Sequence, residues 1–285
     1  MKPCIVFLSV NFDAEVLDLK STSEDRLYGR FSYGRYGVRA GLPRLAAMLA
    51  RRGIAATVFV TAADATRHAD AIRMLRDAGH EIASRGADLT PLPSLGEKER
   101  EVLKKARDAL AAITGKAPVG FRAPGGELGP NTLALLAELG YRYDSSFQDD
   151  DQPYLFAPTK NTRIAELPTV HALDDSLAFS ARHTHARVFK IWREEFDALH
   201  REGCLAPFTM HLRGDVGSTR AARVAALEEL LAYVASRPGV SFMTGSEIAA
   251  VTLASGMAPE GDPHAPHQPT LAVTPYRGDL AVKPI

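Results

Sequence analysis

A parallel α/β fold with its chemistry at the carboxyl ends of the strands is what the sequence predicts, on three observations. Short β-branched and apolar runs, 4–12, 54–60 and 81–84, alternate with segments whose apolar residues recur at helical spacing. Glycines stand just past several of those segments, at Gly53, Gly79, Gly115 and Gly140, where helices end. The length, 285 residues, is ordinary for one barrel-type α/β domain.

The first buried strand is 4–12, and its tip reads Asn11-Phe12-Asp13-Ala14-Glu15. A loop over 18–37 follows, charged and then rich in Gly and Tyr. Its second half interleaves aromatics with arginines, Tyr33 and Arg35 among them, and forms either a cleft wall or a cover packed over the barrel mouth. The spacing of Leu42, Leu45, Ala46 and Leu49 predicts a helix over 38–52. A second strand over 54–60 leads through Thr61 into a helix running to Ala78, with Ile72 and Leu75 inward. The third strand, 81–84, opens into the loop Arg85-Gly86-Ala87-Asp88-Leu89.

Ser94 and Glu97 read as a capping box for a helix ending at Thr114. The run 120–126 is a strand tip carrying Arg122, and Pro130-Asn131 opens a helix to Leu139. Another strand tip lies at 141–146, followed by an acidic loop over 148–154. A helix over 188–203 holds Trp192, the only tryptophan, in the core. The strand 206–212 bears His211 near its tip. A helix over 221–236, a strand over 240–243 and a last helix capped by Ser246 and Glu247 complete a domain over 1–253. From 254 to 285 the chain has six prolines and few aromatics, so it reads as a tail or arm, laid across the barrel or a neighbouring subunit.

Bulk properties exclude several classes. Acidic and basic residues balance at 34 each, which gives no electrostatic case for nucleic acid. No run of 18 apolar residues exists, so no membrane span is expected. The start MKPCIVFLSVNF lacks the pattern of a secretory leader, which predicts a cytoplasmic protein. Cys4 and Cys204 read as small core residues rather than a disulfide.

Several motifs together resemble the polysaccharide deacetylase family, the nodulation-protein-type deacetylases of carbohydrate esterase family four. They are Gly79-His80-Glu81-Ile82 with Gly86, the tip Phe121-Arg122-Ala123-Pro124, the strand Tyr141-Arg142-Tyr143-Asp144-Ser145-Ser146, and His211 on the late strand. The tip Asn11 to Glu15 is most similar to a subgroup of peptidoglycan deacetylases and a metal-independent allantoinase. The resemblance covers about residues 4–250. It implies a distorted seven-stranded (β/α) barrel, with Asp13 as catalytic base, Arg122 orienting it and His211 as general acid. It also points to Arg85, Asp88, Tyr33, Arg35, Pro124, Asp150 and Tyr154 as substrate contacts, and to Glu166, Asp174 or Asp175 facing the cavity. In the family two histidines and a second acid bind a divalent metal. Here those places hold Arg85, Leu89 and Ala14, and neither a guanidinium nor an alkyl side chain offers a lone pair.

The expectation is therefore a hydrolase of a non-peptide C–N bond that uses no metal cofactor, with Arg85 as an electrostatic clamp. Its partner would be a small molecule or glycan, and the tail hints at a homo-oligomer. The alternative is a degenerate member that binds a sugar or small acidic metabolite without turning it over. Ordinary metal-dependent deacetylation would need replacement ligands such as His183 or Asp88. The pair His183 and His185 comes with no further ligand motif, and His264 and His267 in the tail need no ligand role.

Overall fold

The computed structural model describes residues 3–20, 29 and 32–260. Their strands form one sheet: β1 (Cys4–Phe12), β2 (Thr57–Val60), β3 (Glu81–Ser84), β4 (Gly120–Phe121), β5 (Tyr143–Asp144), β6 (Tyr154–Thr159), β7 (Thr162–Glu166), β8 (Ala206–His211) and β9 (Val240–Met243). Along β7-β5-β4-β3-β2-β1-β8 every neighbour is parallel. These are the seven strands of the expected barrel. β6 adds to them antiparallel beside β7, and β9 pairs with the first half of β1. After β7 the chain returns to β8 through a single bridge between Asp174 and Thr209, so the sheet curls into a distorted (β/α) barrel.

β1 sits at the centre for a chemical reason. Cys4, Val6, Leu8, Val10 and Phe12 point to one face and are buried there against the helical layer. On the other face Ser9, Asn11 and then Asp13 step along the barrel interior, also buried. The helical layer comprises α1 (Glu15–Lys20), α2 (Tyr33–Tyr36), α3 (Leu42–Arg52), α4 (Ala62–Arg67), α5 (Ala69–Asp77), α6 (Glu99–Thr114), α7 (Thr132–Glu138), α8 (Asp175–Ser180), α9 (His185–Glu202), α10 (Ala221–Ala235) and α11 (Gly245–Ala254). Trp192 is fully buried in the main core against Phe189 and Phe208. Both cysteines are free and buried.

Several local expectations change. The helix expected from 38 begins at Tyr33 and passes through a π-helical turn over Gly37–Gly41, so Tyr33 and Arg35 lie on a helix rather than in a loop. The rest of that aromatic stretch, 28 and 30–31, falls outside the described residues. Ser94 does not cap a helix. Its hydroxyl donates to Pro91 O inside a 3-10 turn over Leu92–Lys98, and α6 starts only at Glu99. The helix 61–78 is two helices broken at His68. The hairpin β6–β7 was not expected; the acidic loop read over 148–154 leads into it at Tyr154. The histidines at 183 and 185 flank Thr184, which caps α9 by accepting from the Arg187 amide.

Half of the third-strand motif is structural. His80 Nδ1 accepts from Ala56 N at 3.1 Å. Glu81 collects the Thr57 and Tyr143 hydroxyls and the Ser246 amide, tying α11 to the amino-terminal end of the barrel. Burial pushes the Glu81 carboxyl up, and burial likewise raises Asp175. Asp64 is pushed up to about 7, by burial first. At the tips of β5 and β7 Asp144 is pushed up to about 6 by burial, and Glu166, buried beside the Asp144 charge, rises well above the usual carboxylate range. Glu166 is fully buried, its carboxylate accepting from the Ser146 and Phe147 amides.

These raised folded values mean that the native state binds more protons than the unfolded chain between about pH 4 and pH 7. The stability they contribute is complete below the unfolded value and is lost as pH rises through the folded one. Glu15, Asp88 and Asp215, with the exposed Glu101, Asp108, Glu138 and Glu228, shift the other way, and what they contribute is already fully present above the unfolded carboxylate range, so it does not oppose the trend from pH 5 to pH 8. Urea unfolding should therefore show the protein less stable at pH 8 than at pH 5, by at least about 2 kcal/mol. Glu166→Gln, which mimics the protonated acid, should flatten that slope. A profile rising toward pH 8 would contradict this account.

Candidate active site

One register row sets the site. Phe12, Val60, Ser84, Phe121, Asp144 and Glu166 pair across successive strands. Asp13, Arg85 and Arg122 each stand one residue beyond that row, at the open ends of β1, β3 and β4. Asp13 and Arg85 are two strands apart, a span of ~10 Å between backbones, which the long arginine side chain covers. Arg85 Nε donates to Asp13 Oδ1 at 2.8 Å and its Nη2 reaches Oδ2 at 3.4 Å. The pair is buried, with side chains 11% and 5% exposed. A two-point contact between guanidinium and carboxylate fixes both groups in orientation as well as distance.

His211, at the end of β8, is the third group. Its ring Nδ1 lies 2.9 Å from Asp175 Oδ1, and Asp175 also accepts from the His211 and Ser218 backbone amides. The other nitrogen, Nε2, is 3.0 Å from Asn11 Nδ2 and 3.8 Å from Asp13 Oδ2. Burial opposes charge on this imidazole. The hydrogen bond to Asp175 and the charges of Asp174, Asp175 and Asp13 favour it, and on those contributions the ring is held above its usual range.

Arg122 does not do what the resemblance implied. Its guanidinium donates to Ser145 O and Oγ, Ser9 Oγ and Asn11 Oδ1, and lies 4.1 Å over the Phe59 ring. Arg85 has taken the Asp13 contact instead, because it rises from a nearer strand. Burial and the Arg85 charge lower the Arg122 guanidinium to about 10.

A cleft of about 410 Å³ opens above these groups, lined by Asp13, Arg85, His211, Leu89, Pro124 and Arg213 with their neighbours. Leu89 holds φ +67°, a left-handed conformation rarely adopted by a branched side chain. Arg213 is fixed by Asp18 and Asp215 and was not foreseen. Other expected contacts lie elsewhere. Asp88 turns to Lys20 and Thr90. Tyr33 and Arg35 sit exposed on α2, away from the cleft lining. Tyr154 is buried with its hydroxyl on Asp149, while exposed Asp150 accepts from the Gln152 amide in its own turn. Asn11 was omitted from the site by sequence reasoning, and Asp175, expected only as one of the acids that face the cavity, instead holds the His211 ring. The alternation Ser9, Asn11, Asp13 along one strand face was the signal for Asn11.

The residues at the expected metal position do not fit a divalent ion. A guanidinium already bound to Asp13 occupies one ligand place, and Ala14 and Leu89 have no donor atom. Two other groups among the described residues bring three ligand atoms within 4.8 Å: Asp174, Asp175 and His211 at the cleft, and Glu15, Asp64 and His68 beside α1. Side chains of both groups also make hydrogen bonds within the fold. Asp64 accepts from the Ala14 and Val16 amides, and Glu15 pairs with His68 at 2.6 Å.

Residues 20–143 match the family model described as polysaccharide deacetylase. A solved structure from Mycobacterium smegmatis, classed with the polysaccharide deacetylases, is 35% identical with a TM-score of 0.84, over 91% of this chain and 93% of that one. The Puue allantoinase structure is 28% identical with a TM-score of 0.77, over 90% and 92% of the two chains. The peptidoglycan deacetylase of Helicobacter pylori is 26% identical over 284 residues, 87% of this chain and 96% of its own.

Proposed function

Because the chain belongs to the polysaccharide deacetylase family, with its hydrolase fold, we propose that it cleaves a non-peptide C–N bond, an amide or ureide, without a bound metal ion. The observation that carries this is the buried two-point pair of Arg85 and Asp13, which puts a fixed organic cation where the family keeps an inorganic one. Two of the five guanidinium N–H donors are spent on Asp13. Arg85 lines the cleft, and its remaining donors are suited to the oxyanion that forms when water adds to a carbonyl. Asp13 and His211, with Oδ2 and Nε2 3.8 Å apart, supply proton transfer. The likeness to both a peptidoglycan deacetylase and an allantoinase supports amide chemistry on a sugar or a small ureide.

A metal-dependent reading has one observation in its favour, the group Asp174, Asp175 and His211 at the cleft. Turnover of N-acetylated sugar oligomers and of small ureides, measured with and without chelator, separates the readings. The expected result is turnover that survives chelation, with no stoichiometric metal in the purified protein, and a loss of ~10²-fold or more in Asp13→Asn. Activity that vanishes on chelation and returns with zinc or cobalt would overturn metal independence. Binding of a sugar without turnover would make the chain a binder.

A further inference from the structure

The hydrogen-bond chain behind the cleft has a direction. Arg122 carries only donors, so the atom of Asn11 facing it at 3.1 Å is the carbonyl oxygen, Oδ1. That fixes the amide's other end. The Asn11 NH₂ faces His211 Nε2 at 3.0 Å. Turning the amide over would set its NH₂ against the Arg122 N–H, donor against donor, and strip Arg122 of an acceptor. At the far end, Asp175 receives the backbone N–H groups of His211 and Ser218 and lies 2.9 Å from Nδ1. A carboxylate that already accepts there is suited to accept from Nδ1–H as well.

From this network we infer that the neutral His211 ring carries its proton on Nδ1, with its Nε2 lone pair held by Asn11, and that this form enters catalysis by taking up a proton. The charged groups facing the ring are Asp13 at the tip of β1, Asp174 and Asp175 at the start of α8, Arg213 beyond β8, and Arg122 and Arg85 across the barrel mouth. The aspartates favour imidazolium. The amide opposes it at the one atom where the second proton must go, because Nε2–H would meet the Asn11 N–H in a buried site. Asn11 and Arg122 are therefore positioning residues that set the ring's tautomer.

The catalytic step rests on the proposed hydrolysis, whereas the tautomer does not. As a water oxygen bonds to the substrate carbonyl carbon, its proton passes to Nε2. As the C–N bond breaks, the same proton passes from Nε2 to the leaving nitrogen, so that amide and water become acid and amine. The facing Asn11 N–H makes the transient Nε2–H a better acid for that second transfer.

Nitrogen-15 NMR of histidine-labelled protein tests the assignment without any substrate. His211→Gln identifies the signal among the nine histidines. The expected spectrum of the neutral ring, read on the high-pH side of its titration, shows a protonated Nδ1 and a bare Nε2. In Asn11→Asp, where an acceptor replaces the donor, the ring should hold both protons to a pH higher by at least about 1 unit, a tenfold gain in proton affinity. A neutral wild-type ring that carries its proton on Nε2, or an Asn11→Asp ring that titrates as the parent does, overturns the inference. Should Asn11→Asp fail to fold, the wild-type spectrum alone decides. Because no turnover is read, failure of the proposed reaction leaves this result standing, and the reverse also holds.

Discussion

Arg85→Met should lose about 3–5 kcal/mol of stability in urea, with little change in the denaturant slope. The Asp13 carboxylate is 5% exposed and its two strongest hydrogen bonds come from that guanidinium. Removing the cation leaves a buried charge without its partner, which costs far more than a surface ion pair contributes. The double variant Arg85→Met with Asp13→Asn should recover most of the loss, since neither charge is then stranded. A single variant within about 0.5 kcal/mol of the parent would mean that solvent reaches Asp13 and that the pair is ornamental.

Gly37→Ala should cost at least about 3 kcal/mol. Helix propensity alone argues the opposite sign, because Gly37 has helical φ and alanine would gain about 1 kcal/mol there. The contact decides it. A Cβ on Gly37 would stand 1.9 Å from the Leu212 carbonyl oxygen, and one on Gly217 would stand 1.8 Å from that of His211. Both neighbours are backbone, so no side chain can swing aside. The π-helical turn that begins at Gly37 and the loop at Gly217 thus press on the main chain that carries the imidazole. Thermal melts of Gly37→Ala and Gly217→Ala check this. A Gly37→Ala protein as stable as the parent would contradict the close packing at the end of β8.

The parallel sheet was legible because its strands are short apolar runs separated by glycine-ended helices, and the apolar pattern places β1, β2, β3 and β8 within a few residues. The tips were legible for the same reason, since Asp13, Arg85, Arg122 and His211 all leave strands at one end. What pairs with what was not. Arg85 reaches Asp13 through register, which depends on how three strands align, and no local pattern states that. The hairpin β6–β7 escaped because its acidic lead-in, 148–152, has a solvated composition that hides the strand behind it. Ser94 failed as a cap because Gly96, at φ +53°, breaks the turn before α6 begins. Asn11 was overlooked because its role lies in which end of an amide faces which neighbour, a property of the assembled network.

β1 is bonded along both edges for nearly its whole length, to β8 on one side and to β9 and then β2 on the other. Its main chain has no loose stretch that can open by itself, so its amides should exchange with solvent only when the whole barrel comes apart. Asn11 and Asp13 inherit that immobility. Any adaptation to an incoming molecule falls to the rim, to α1, to the Leu89 turn and to the segment bearing Arg213.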